Sequence, residues 1–304
     1  MAHPVFRAAP VRVRVPATSA NLGPGFDALG LALSCHDDIV VRAAESGLVI
    51  DVAGEGSDTV PRNGRHLLVR ALRATFDRLG GQPRGLEVVC ANRIPHGRGL
   101  GSSAAAIVAG VVAAKALVAG GGAPLDAGDV LRLCTELEGH PDNVAACLLG
   151  GLTVAWRDGE GPHAIPLTVS GTLAPVVFVP GTRSSTAKAR RLLPAQVPHA
   201  DAAHSAGRAA LLVEALARRP ELLLSATEDH LHQAYRASAM PTSAKLVARL
   251  RDRGVPAVIS GAGPSVLALT TAATREAVAA LAPRGFTALQ LDIDRSGAEV
   301  LPLG

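Results

Sequence analysis

Glycines at alternate positions, followed by two serines, make residues 94–106 the stretch of this sequence best suited to hold a phosphate group. The stretch reads IPHGRGLGSSAAA. Glycine lets the backbone approach an anion closely, and the free N–H groups at the start of a following helix point towards that anion. A serine hydroxyl at such a helix start can cap the helix or bind Mg²⁺. The pattern therefore predicts either a phosphate-binding loop or an ordinary turn before an alanine-rich helix.

Two common phosphate-binding motifs do not match this stretch. The Walker A pattern GxxxxGK[ST] requires a lysine, and residues 94–106 contain none. The Rossmann pattern GxGxxG directly follows the first strand and has an acid about 20 residues later. Here the glycines at positions 97, 99 and 101 read GxGxG and lead into Ser-Ser. If this stretch binds phosphate, it does so as neither of these two loops.

A second polar stretch, residues 16–30, follows a predicted strand and reads PATSANLGPGFDALG. Asn21 can hydrogen-bond a hydroxyl or an amine through its amide, and Asp27 can pair with a cation through its carboxylate. The alternative is a well-capped turn in which Asp27 accepts backbone N–H groups. The residues alone leave both interpretations open.

A third stretch, residues 136–143, reads ELEGHPDN and places an acid where a helix disfavours it. Glu138 closes a predicted helix, whose C-terminal dipole repels negative charge, so a compensating cation is expected. One carboxylate, one serine hydroxyl, waters and two phosphate oxygens would make a reasonable octahedral Mg²⁺ site. A zinc site is not predicted, because no second histidine or cysteine stands at ligand spacing. His140, Asp142 and Asn143 lie in the break that follows the helix.

Arginines and a second glycine turn stand in the other half of the chain. Residues 180–194 include Thr186 and Arg190, and Arg236 follows the single tyrosine. The planar guanidinium group suits a carboxylate, which it can bind through two hydrogen bonds, but each arginine could equally be a solvated surface residue. Residues 260–266 read SGAGPSV and predict either a plain hairpin or a turn that brings bare backbone against the first glycine loop.

The elements that must position these residues alternate between strands and helices. Period-two alternation of valine and arginine predicts a first strand over 11–15, and apolar spacing predicts a helix over 66–79. The glycine loop is expected between a strand and a helix, and the acidic break between two helices. The further predicted strands are 39–43, 48–53, 86–91, 152–156, 163–167, 174–179, 257–260, 266–269 and 286–291. The further predicted helices are 102–118, 126–138, 143–148, 184–193, 201–218, 227–235, 242–253 and 275–281.

Composition limits the classes of protein to which this chain can belong. The chain has 304 residues, enough for two domains, with 48% hydrophobic and 18% charged residues, as in globular proteins. Aromatic residues make up only 2%, so the stacking platforms of single-stranded nucleic-acid binders are hardly available. The net charge of +4 is a mild bias towards anionic ligands. Neither nucleic acid nor a membrane is expected as a partner.

Cysteine usage and the N-terminal sequence favour a cytoplasmic protein. The four cysteines form no CxxC pair and stand among apolar neighbours, so we expect buried, reduced thiols and a reducing compartment. The first residues, MAHPVFRAAPV, lack the apolar centre of a signal peptide. No apolar run with membrane-like flanks is long enough to span a bilayer.

Together these motifs resemble the GHMP kinase superfamily, and within it the homoserine kinase family. PATSANLGPGFD, IPHGRGLGSSAA, EGHPDNVA, STAKAR, YR and SGAGPSV occur in the family's order over residues 11–270. PATSANLGPGFD together with EGHPDNVA is much more specific to the homoserine kinases than the glycine loop, which marks the superfamily. The resemblance implies the α+β, two-domain GHMP kinase fold. Residues 1–165 would form a domain like domain 2 of ribosomal protein S5, and residues 166–304 a ferredoxin-like domain.

The activity implied by the resemblance is ATP-dependent phosphorylation of the L-homoserine hydroxyl to O-phospho-L-homoserine, in threonine biosynthesis, by a cytoplasmic homodimer. Glu138, with Ser102 or Ser103, is predicted to hold Mg²⁺. Asp142, Asn143 and Ser103 are predicted to take part in catalysis, with Asp142 as the base if the reaction uses one. The predicted substrate-binding residues are Asn21, Asp27, His140, Thr186, Arg190 and Arg236. The predicted ATP-binding residues are Asn63, Pro95, His96, Gly97, Arg98, Gly99, Leu100, Gly101, Ser102, Ser103, Ala104 and Ala105.

One departure from the family pattern concerns the nucleotide. The family has Asn-Leu before the helix that starts near residue 66, whereas this chain has His66-Leu67, with Asn63 three residues earlier. Two other functions are weighed against the first. One is a GHMP kinase with another small alcohol as substrate, such as mevalonate or shikimate. The other is a non-catalytic nucleotide- or RNA-binding protein on the same fold.

Overall fold

The computed structural model describes residues 3–303, which form two α+β halves with a cleft between them. The strands are β1 (Val5–Phe6), β2 (Val11–Ala20), β3 (Leu29–Ala44), β4 (Gly47–Gly54), β5 (Gly85–Asn92), β6 (Val118–Gly120), β7 (Leu152–Asp158), β8 (Gly161–Leu167), β9 (Val176–Pro180), β10 (Ala257–Ile259), β11 (Val266–Ala268), β12 (Phe286–Gln290) and β13 (Glu299–Leu301). The helices are α1 (Leu67–Leu79), α2 (Ser102–Leu117), α3 (Ala127–Glu138), α4 (Asp142–Leu149), α5 (Thr186–Arg191), α6 (His199–Ala217), α7 (Leu223–Ala226), α8 (Gln233–Arg236), α9 (Pro241–Arg251) and α10 (Arg275–Ala279).

The first strand of the large sheet confirms the predicted alternation and extends beyond it. Valines at 11, 13 and 15 are buried, and the intervening Arg12 and Arg14 are half-buried. Both arginines hydrogen-bond Asp38 on β3. The strand was predicted to end at 15 but continues to Ala20, because β3 stays paired with it across a bulge between Pro16 and Ala17.

The large sheet has seven strands and carries most of the residues predicted to bind ligand. Its order is β13-β2-β3-β5-β4, and β7 and β8 continue from the beginning of β3. Strands β4 and β5 are parallel and are joined through α1, whereas the other pairs are antiparallel. The ends of β2 and β5 reach the same side of the cleft, where the polar stretch 16–30 and the glycine loop follow them.

Helix α2 is the central helix of this half. It packs against α1, α3, α4 and β2, and its buried residues are small or branched aliphatic ones. Gly110 brings α1 close, since an added Cβ there would lie 2.6 Å from the carbonyl oxygen of Leu68. This helix starts at the end of the glycine loop and is held firmly by its neighbours, so its N-terminus has a fixed position.

The second half is a four-stranded antiparallel sheet in the order β10-β11-β9-β12 with helices on it. The predicted division at residues 165 and 166 falls inside β8 and stays a prediction. The chain returns to the first half at its end: β13 pairs with β2, and His36 hydrogen-bonds Asp294 at 2.6 Å. Strand β13 was not predicted, because its three residues have no distinct pattern.

The predicted helix over residues 227–235 is wrong. Residues 223–226 and 233–236 are separate short helices, and the chain turns between them. The Asp229 carboxylate accepts hydrogen bonds from the backbone N–H groups of Leu231, His232 and Gln233, and so caps the second helix. A capping aspartate inside an apolar pattern gives little periodic signal, so the break was not visible in the sequence.

No helix within residues 3–303 combines the length and the apolar character needed to cross a membrane.

Candidate active site

The glycine loop runs from the end of β5 to the first turn of α2. Gly97, Gly99 and Gly101 have φ angles of 66°, 77° and 68°, which favour glycine over residues with a side chain. Gly101 is the residue before the helix, so the loop delivers its backbone directly to the N-terminus of α2. The free N–H groups of that turn and the helix dipole favour an anion there.

Contacts from both halves of the protein hold this loop. The Asp37 carboxylate on β3 accepts hydrogen bonds from the backbone N–H groups of Arg93 (2.6 Å) and Ile94 (2.9 Å) at the beginning of the loop. Burial raises the pKa of Asp37 to about 6. At the other side, the Ser260 hydroxyl lies 2.6 Å from the carbonyl oxygen of Gly99. The second glycine turn therefore contacts the first loop, as one of its two predicted interpretations required.

Arg98, the cation of the loop, points away from the cleft. Its guanidinium donates to the carbonyl oxygens of Pro180 at 2.9 Å and Gly181 at 3.3 Å. It also lies 3.5 Å from the Glu55 carboxylate. The contacts with Pro180 and Gly181 tie the loop to the second half of the protein and engage the Arg98 guanidinium.

A polar cavity of about 90 Å³ lies between the loop and the second half. It brings together residues from all six of the motifs described in the sequence. The predicted site residues that line it are Asn21, Asp27, Gly97, Gly99, Gly101, Ser102, Ser103, Glu138, His140, Asp142, Asn143, Thr186, Arg190 and Arg236. The predicted site residues outside its lining are Asn63, Pro95, His96, Arg98, Leu100, Ala104 and Ala105.

Glu138 and Ser103 meet at one end of this cavity. The Ser103 hydroxyl donates a 2.6 Å hydrogen bond to the Glu138 carboxylate. Burial raises the pKa of Glu138 to about 6, with a smaller contribution from the nearby Asp142 carboxylate. Carboxylate and hydroxyl oxygens are suitable ligands for a hard divalent cation. Such a cation would offset the energetic cost of removing the Glu138 charge from water. Within residues 3–303 no group of three or more His, Cys, Asp or Glu side chains could hold a metal, so other oxygens must complete the coordination.

Asp142 and Asn143 begin α4 beside the glycine loop. Asp142 is buried, its carboxylate accepts the backbone N–H of Asn143, and burial raises its pKa to about 6. The carbonyl oxygen of the Asn143 side chain accepts a 2.7 Å hydrogen bond from the Thr18 hydroxyl on β2. Asp142 is therefore held in place, and its pKa lies closer to neutral pH than that of an ordinary aspartate.

Asn21 and Asp27 lie in a turn with unusual backbone angles. Asn21, Leu22 and Asp27 all have positive φ, which costs energy for residues with a side chain and is often found at functional sites. The Asn21 side chain accepts the backbone N–H of Asp27 and donates to the carbonyl oxygen of Gly261 across the cleft. Asp27 forms a two-point ion pair with Arg190, at 2.6 and 3.0 Å.

Arg236 is a buried cation, only 2% exposed, at the edge of the cavity. No carboxylate oxygen among residues 3–303 lies within 4 Å of its guanidinium, which instead contacts the carbonyl oxygen of Ala189 and the imidazole of His232. Burial lowers the pKa of Arg236, and the neighbouring Arg190 lowers it further. Both guanidinium groups lie over the ring of Phe26, at 5.2 and 5.6 Å from its centre. Two cations beside one cavity favour an anion between them.

Comparison with known proteins identifies the family. The models of the GHMP kinases N-terminal domain and the GHMP kinases C-terminal domain match residues 66–151 and 209–286. The homoserine kinase of Streptomyces avermitilis is 67% identical over 303 residues, which cover 100% of this chain and 99% of that protein. The chain belongs to the homoserine kinase family. This confirms the resemblance seen in its motifs.

Solved structures confirm the α+β, two-domain GHMP kinase fold of this family member. The crystal structure of homoserine kinase from Cytophaga hutchinsonii matches with a TM-score of 0.86 and 27% identity, covering 98% of this chain and 99% of that one. A mevalonate kinase of L. major, solved in complex with R-mevalonate, matches with a TM-score of 0.71 at 18% identity, covering 98% of this chain and 100% of that one. The second likeness concerns the fold alone.

A second cavity of this homoserine kinase family member, about 280 Å³ in volume, adjoins the first at Ser102 and Ser103. His66 lines it, is 6% exposed, and has neither ring nitrogen hydrogen-bonded within residues 3–303. Asn63 does not line it; its side-chain oxygen accepts the backbone N–H of Arg65. The role predicted for Asn63 stays a prediction. Of Asn63 and His66, it is His66, the residue that departs from the family pattern, that lines this cavity.

Several residues of the site were not assigned from the sequence. Ser184, Ala262 and the glycines at 261 and 263 line the polar cavity. Ala262 and the two glycines belong to the second glycine turn, so the SGAGPSV motif could have identified them as site residues. Phe26 and His232 contact Arg236, and no local pattern marks either of them.

Proposed function

We propose that this chain transfers the γ-phosphoryl group of ATP to the hydroxyl of L-homoserine and gives O-phospho-L-homoserine, a step of threonine biosynthesis. The observation that carries the proposal is Arg236, a buried cation without a carboxylate partner in the described range, beside a cavity that also contains the Asp27 carboxylate. A zwitterionic amino acid satisfies both charges. Relatives named homoserine kinase along the whole chain support the same reaction.

The amino-acid end of the substrate would take the place of an internal ion pair. Asp27 and Arg190 now neutralise each other, with about a third of each side chain exposed. An α-ammonium group offers Asp27 a new partner, and an α-carboxylate can then lie between Arg190 and Arg236. This exchange keeps every charge paired, and only a substrate with an ammonium group gives Asp27 a cationic partner that frees Arg190 for the carboxylate. His140 and Thr186 line the same region and contribute polar contacts.

The phosphate groups would lie on the glycine loop and the N-terminus of α2. Glu138 with Ser103 or Ser102 would hold Mg²⁺, which supplies charge neutralisation for the transferred phosphoryl group. Phosphoryl transfer proceeds through a loose transition state, so positioning and charge stabilisation supply most of the catalysis. Asp142, which lines the polar cavity, would accept the hydroxyl proton if the reaction uses a base, which a loose transition state does not require. Asn143 and Ser103 complete the set at the α2 and α4 termini.

The nucleoside of ATP would lie in the second cavity, which shares Ser102 and Ser103 with the first. His66 would take the place of the asparagine that the family pattern implies at this position. We also propose a cytoplasmic location, in agreement with four free cysteines, three of them buried. The homodimer implied by the family is a proposal that light scattering of the purified protein tests directly.

A panel of alcohols tests the proposed reaction. ADP release is measured by a coupled assay with ATP, Mg²⁺ and, in separate wells, L-homoserine, mevalonate, shikimate or L-threonine. We expect turnover with homoserine to exceed that with the other alcohols by a factor of at least about 100, because the other acids lack the ammonium group or the chain length.

Each of the other possible results would indicate a different function. Faster turnover with mevalonate or shikimate would indicate another GHMP small-molecule kinase. No ADP release with any alcohol, together with salt-sensitive binding of RNA, would indicate the non-catalytic alternative. Either result would replace the proposed function.

A further inference from the structure

His232 is completely buried between the two halves of the protein and contacts both. Its Nε2 lies 2.7 Å from the carbonyl oxygen of Gly23, in the turn that carries Asn21 and Asp27. Its Nδ1 lies 3.2 Å from a guanidinium nitrogen of Arg236. One imidazole therefore joins the turn with the predicted ammonium ligand to the arginine predicted to bind the carboxylate.

These two contacts determine the tautomer of the ring. A carbonyl oxygen can only accept, so Nε2 must carry the proton that is donated to Gly23. An arginine can only donate, so Nδ1 must be the unprotonated acceptor. The Asp229 carboxylate, 3.5 Å from Nε2, favours the same tautomer. Burial lowers the pKa of His232, which agrees with the neutral ring that these two hydrogen bonds require.

The surrounding residues leave the imidazole little freedom. Asp229 holds the backbone N–H of His232 at 3.2 Å. The Phe26 ring stacks on the imidazole at a centroid distance of 5.0 Å and also lies under the Arg236 guanidinium. The guanidinium is thus held by the Phe26 ring below it and by two acceptors, His232 Nδ1 and the Ala189 carbonyl oxygen, which together fix the plane it presents to the cavity.

We propose that His232 is a positioning residue for substrate specificity. Its Nδ1 orients the Arg236 guanidinium, and its Nε2–H holds the turn of residues 21–27 at a fixed distance from that guanidinium. This inference rests on the proposed function, because the carboxylate that Arg236 receives is that of the amino-acid substrate. His232 does not touch the substrate or the phosphate groups. Its replacement should therefore change homoserine binding and leave ATP binding intact.

Two amide substitutions separate the two hydrogen bonds. In His232→Gln the side-chain amide nitrogen can take the place of Nε2 and donate to Gly23, but the acceptor for Arg236 is lost. In His232→Asn the side-chain oxygen can take the place of Nδ1 and accept from Arg236, but the contact with Gly23 is lost. A hydrogen bond to a charged group is worth about 1.5–3 kcal/mol, or about 10- to 100-fold in binding.

The experiment measures KM for homoserine, KM for ATP and kcat in the coupled ADP assay. For His232→Gln we expect homoserine KM to rise at least about tenfold, with ATP KM and kcat within about threefold of the wild type. For His232→Asn we expect the rise in homoserine KM to be less than a third of the rise in His232→Gln. The matched control is His36→Gln, since His36 is a half-buried histidine whose partner, Asp294, lies outside the cavity. It should leave both KM values unchanged.

An unchanged homoserine KM in His232→Gln, a parallel rise of the KM for ATP, or equal effects of the two substitutions would overturn the inference. Circular dichroism shows whether each variant folds. If neither does, ¹⁵N-histidine NMR of the wild-type protein decides: a neutral Nε2–H tautomer for His232 at pH 7 supports the inference, and the Nδ1–H tautomer or the imidazolium overturns it. Absence of homoserine turnover by the wild type would instead contradict the proposed function and leave the NMR result to test the geometry.

Discussion

At the scale of single residues, three acids, two of them buried and one half-buried, are the most informative groups in this protein. Burial raises the pKa values of Asp37, Glu138 and Asp142 to about 6. None of the three forms an ion pair within the described part of the chain. Each is stabilised by hydrogen-bond donors instead. Glu138 and Asp142 line the polar cavity, whereas Asp37 holds the beginning of the glycine loop. The three charges therefore have different roles.

Glu138 is expected to act through a cation. Glu138→Gln removes the charge but keeps the shape and the contact with Ser103, so Mg²⁺ binding should weaken and turnover at limiting Mg²⁺ should fall by at least about a hundredfold. The coupled ADP assay over a range of Mg²⁺ concentrations measures this. The matched control is Glu136→Gln, on the same helix, where the carboxylate is exposed and pairs with Arg78. Equal Mg²⁺ dependence in the two variants would remove Glu138 from the metal site.

Asp37 predicts a pH dependence of stability. Its folded-state pKa of about 6 exceeds the value of 3.8 for an unperturbed aspartate, so the folded protein binds this proton more tightly than the unfolded chain. The contribution of this group to stability is full below about pH 4 and is lost as the pH rises through about 6. Asp37→Asn cannot ionise and keeps the acceptor for the N–H groups of Arg93 and Ile94.

Relative to the wild type, Asp37→Asn should therefore gain stability between about pH 4 and pH 7, by roughly 2–3 kcal/mol. Urea unfolding at several pH values measures the difference. Asp51→Asn is the control, because Asp51 is an exposed residue of β4, and its difference from the wild type should not change in the same way. A constant difference for Asp37→Asn across this range would contradict the raised pKa.

The sequence allowed some of these residues to be predicted and not others, for a physical reason. Glu138 stood out because an acid at the end of a helix is locally unfavourable, and Asn21 and Asp27 because they stand in a polar turn. The pairing of Asp27 with Arg190 joins residues 163 positions apart, and the orientation of Arg98 depends on carbonyl groups of β9 and the following residue. Such contacts follow from the packing of the two halves, which no local pattern contains.

At the scale of elements, helix α2 was predicted correctly but its surroundings were not. Its predicted range, 102–118, agrees with the observed Ser102–Leu117, and the helix starts directly after the glycine loop. What lies against each face depends on tertiary structure. The short helices near residues 223–236 and strand β13 were missed for a related reason, since capping by Asp229 and pairing with β2 override weak local preferences.

The close contact of α1 with α2 gives a prediction at this scale. Gly110→Ala should gain about 1 kcal/mol in helix propensity, but its Cβ would lie 2.6 Å from the Leu68 carbonyl oxygen and 2.7 Å from the side chain of Ala71. The helices must move apart, so we expect a net loss of about 1–3 kcal/mol in the free energy of unfolding.

The matched control for this prediction is Gly207→Ala in the middle of α6. An added Cβ there has no atom within 4 Å, so the same substitution should stabilise the protein by about 0.5–1 kcal/mol. Urea unfolding curves of the two variants give the comparison. Equal effects of both substitutions would show that the distance between α1 and α2 does not depend on Gly110.

At the scale of the whole molecule, the site exists because two glycine turns from different halves touch. Asn21 donates to Gly261, Ser260 contacts Ser19 and Gly99, and His232 donates to Gly23. The motifs made each turn visible in the sequence, but their contact was only one of the interpretations that the sequence left open. The cavity therefore depends on the relative position of the halves as much as on its own residues.

The effect of the contact between the two glycine turns can be separated from the effect of backbone strain by comparing two glycines of the same loop. Gly97 and Gly99 have similar positive φ angles, so alanine at either position should cost about 1–2 kcal/mol through strain. They differ in their surroundings. A Cβ at Gly97 would meet its nearest atom at 3.5 Å, whereas a Cβ at Gly99 would lie 2.3 Å from the carbonyl oxygen of Ser260.

Gly99→Ala should therefore push the two halves apart and destabilise the protein by about 1–3 kcal/mol more than Gly97→Ala does. Thermal unfolding without nucleotide or substrate measures this difference, which keeps ligand binding by the loop out of the comparison. The separation of the halves should also make Gly99→Ala lose affinity for homoserine, although position 99 belongs to the predicted phosphate loop, because Arg236 and Asp27 stand on opposite sides of that contact. Equal stability of the two variants would mean that the cleft is held by contacts other than that of the two glycine turns.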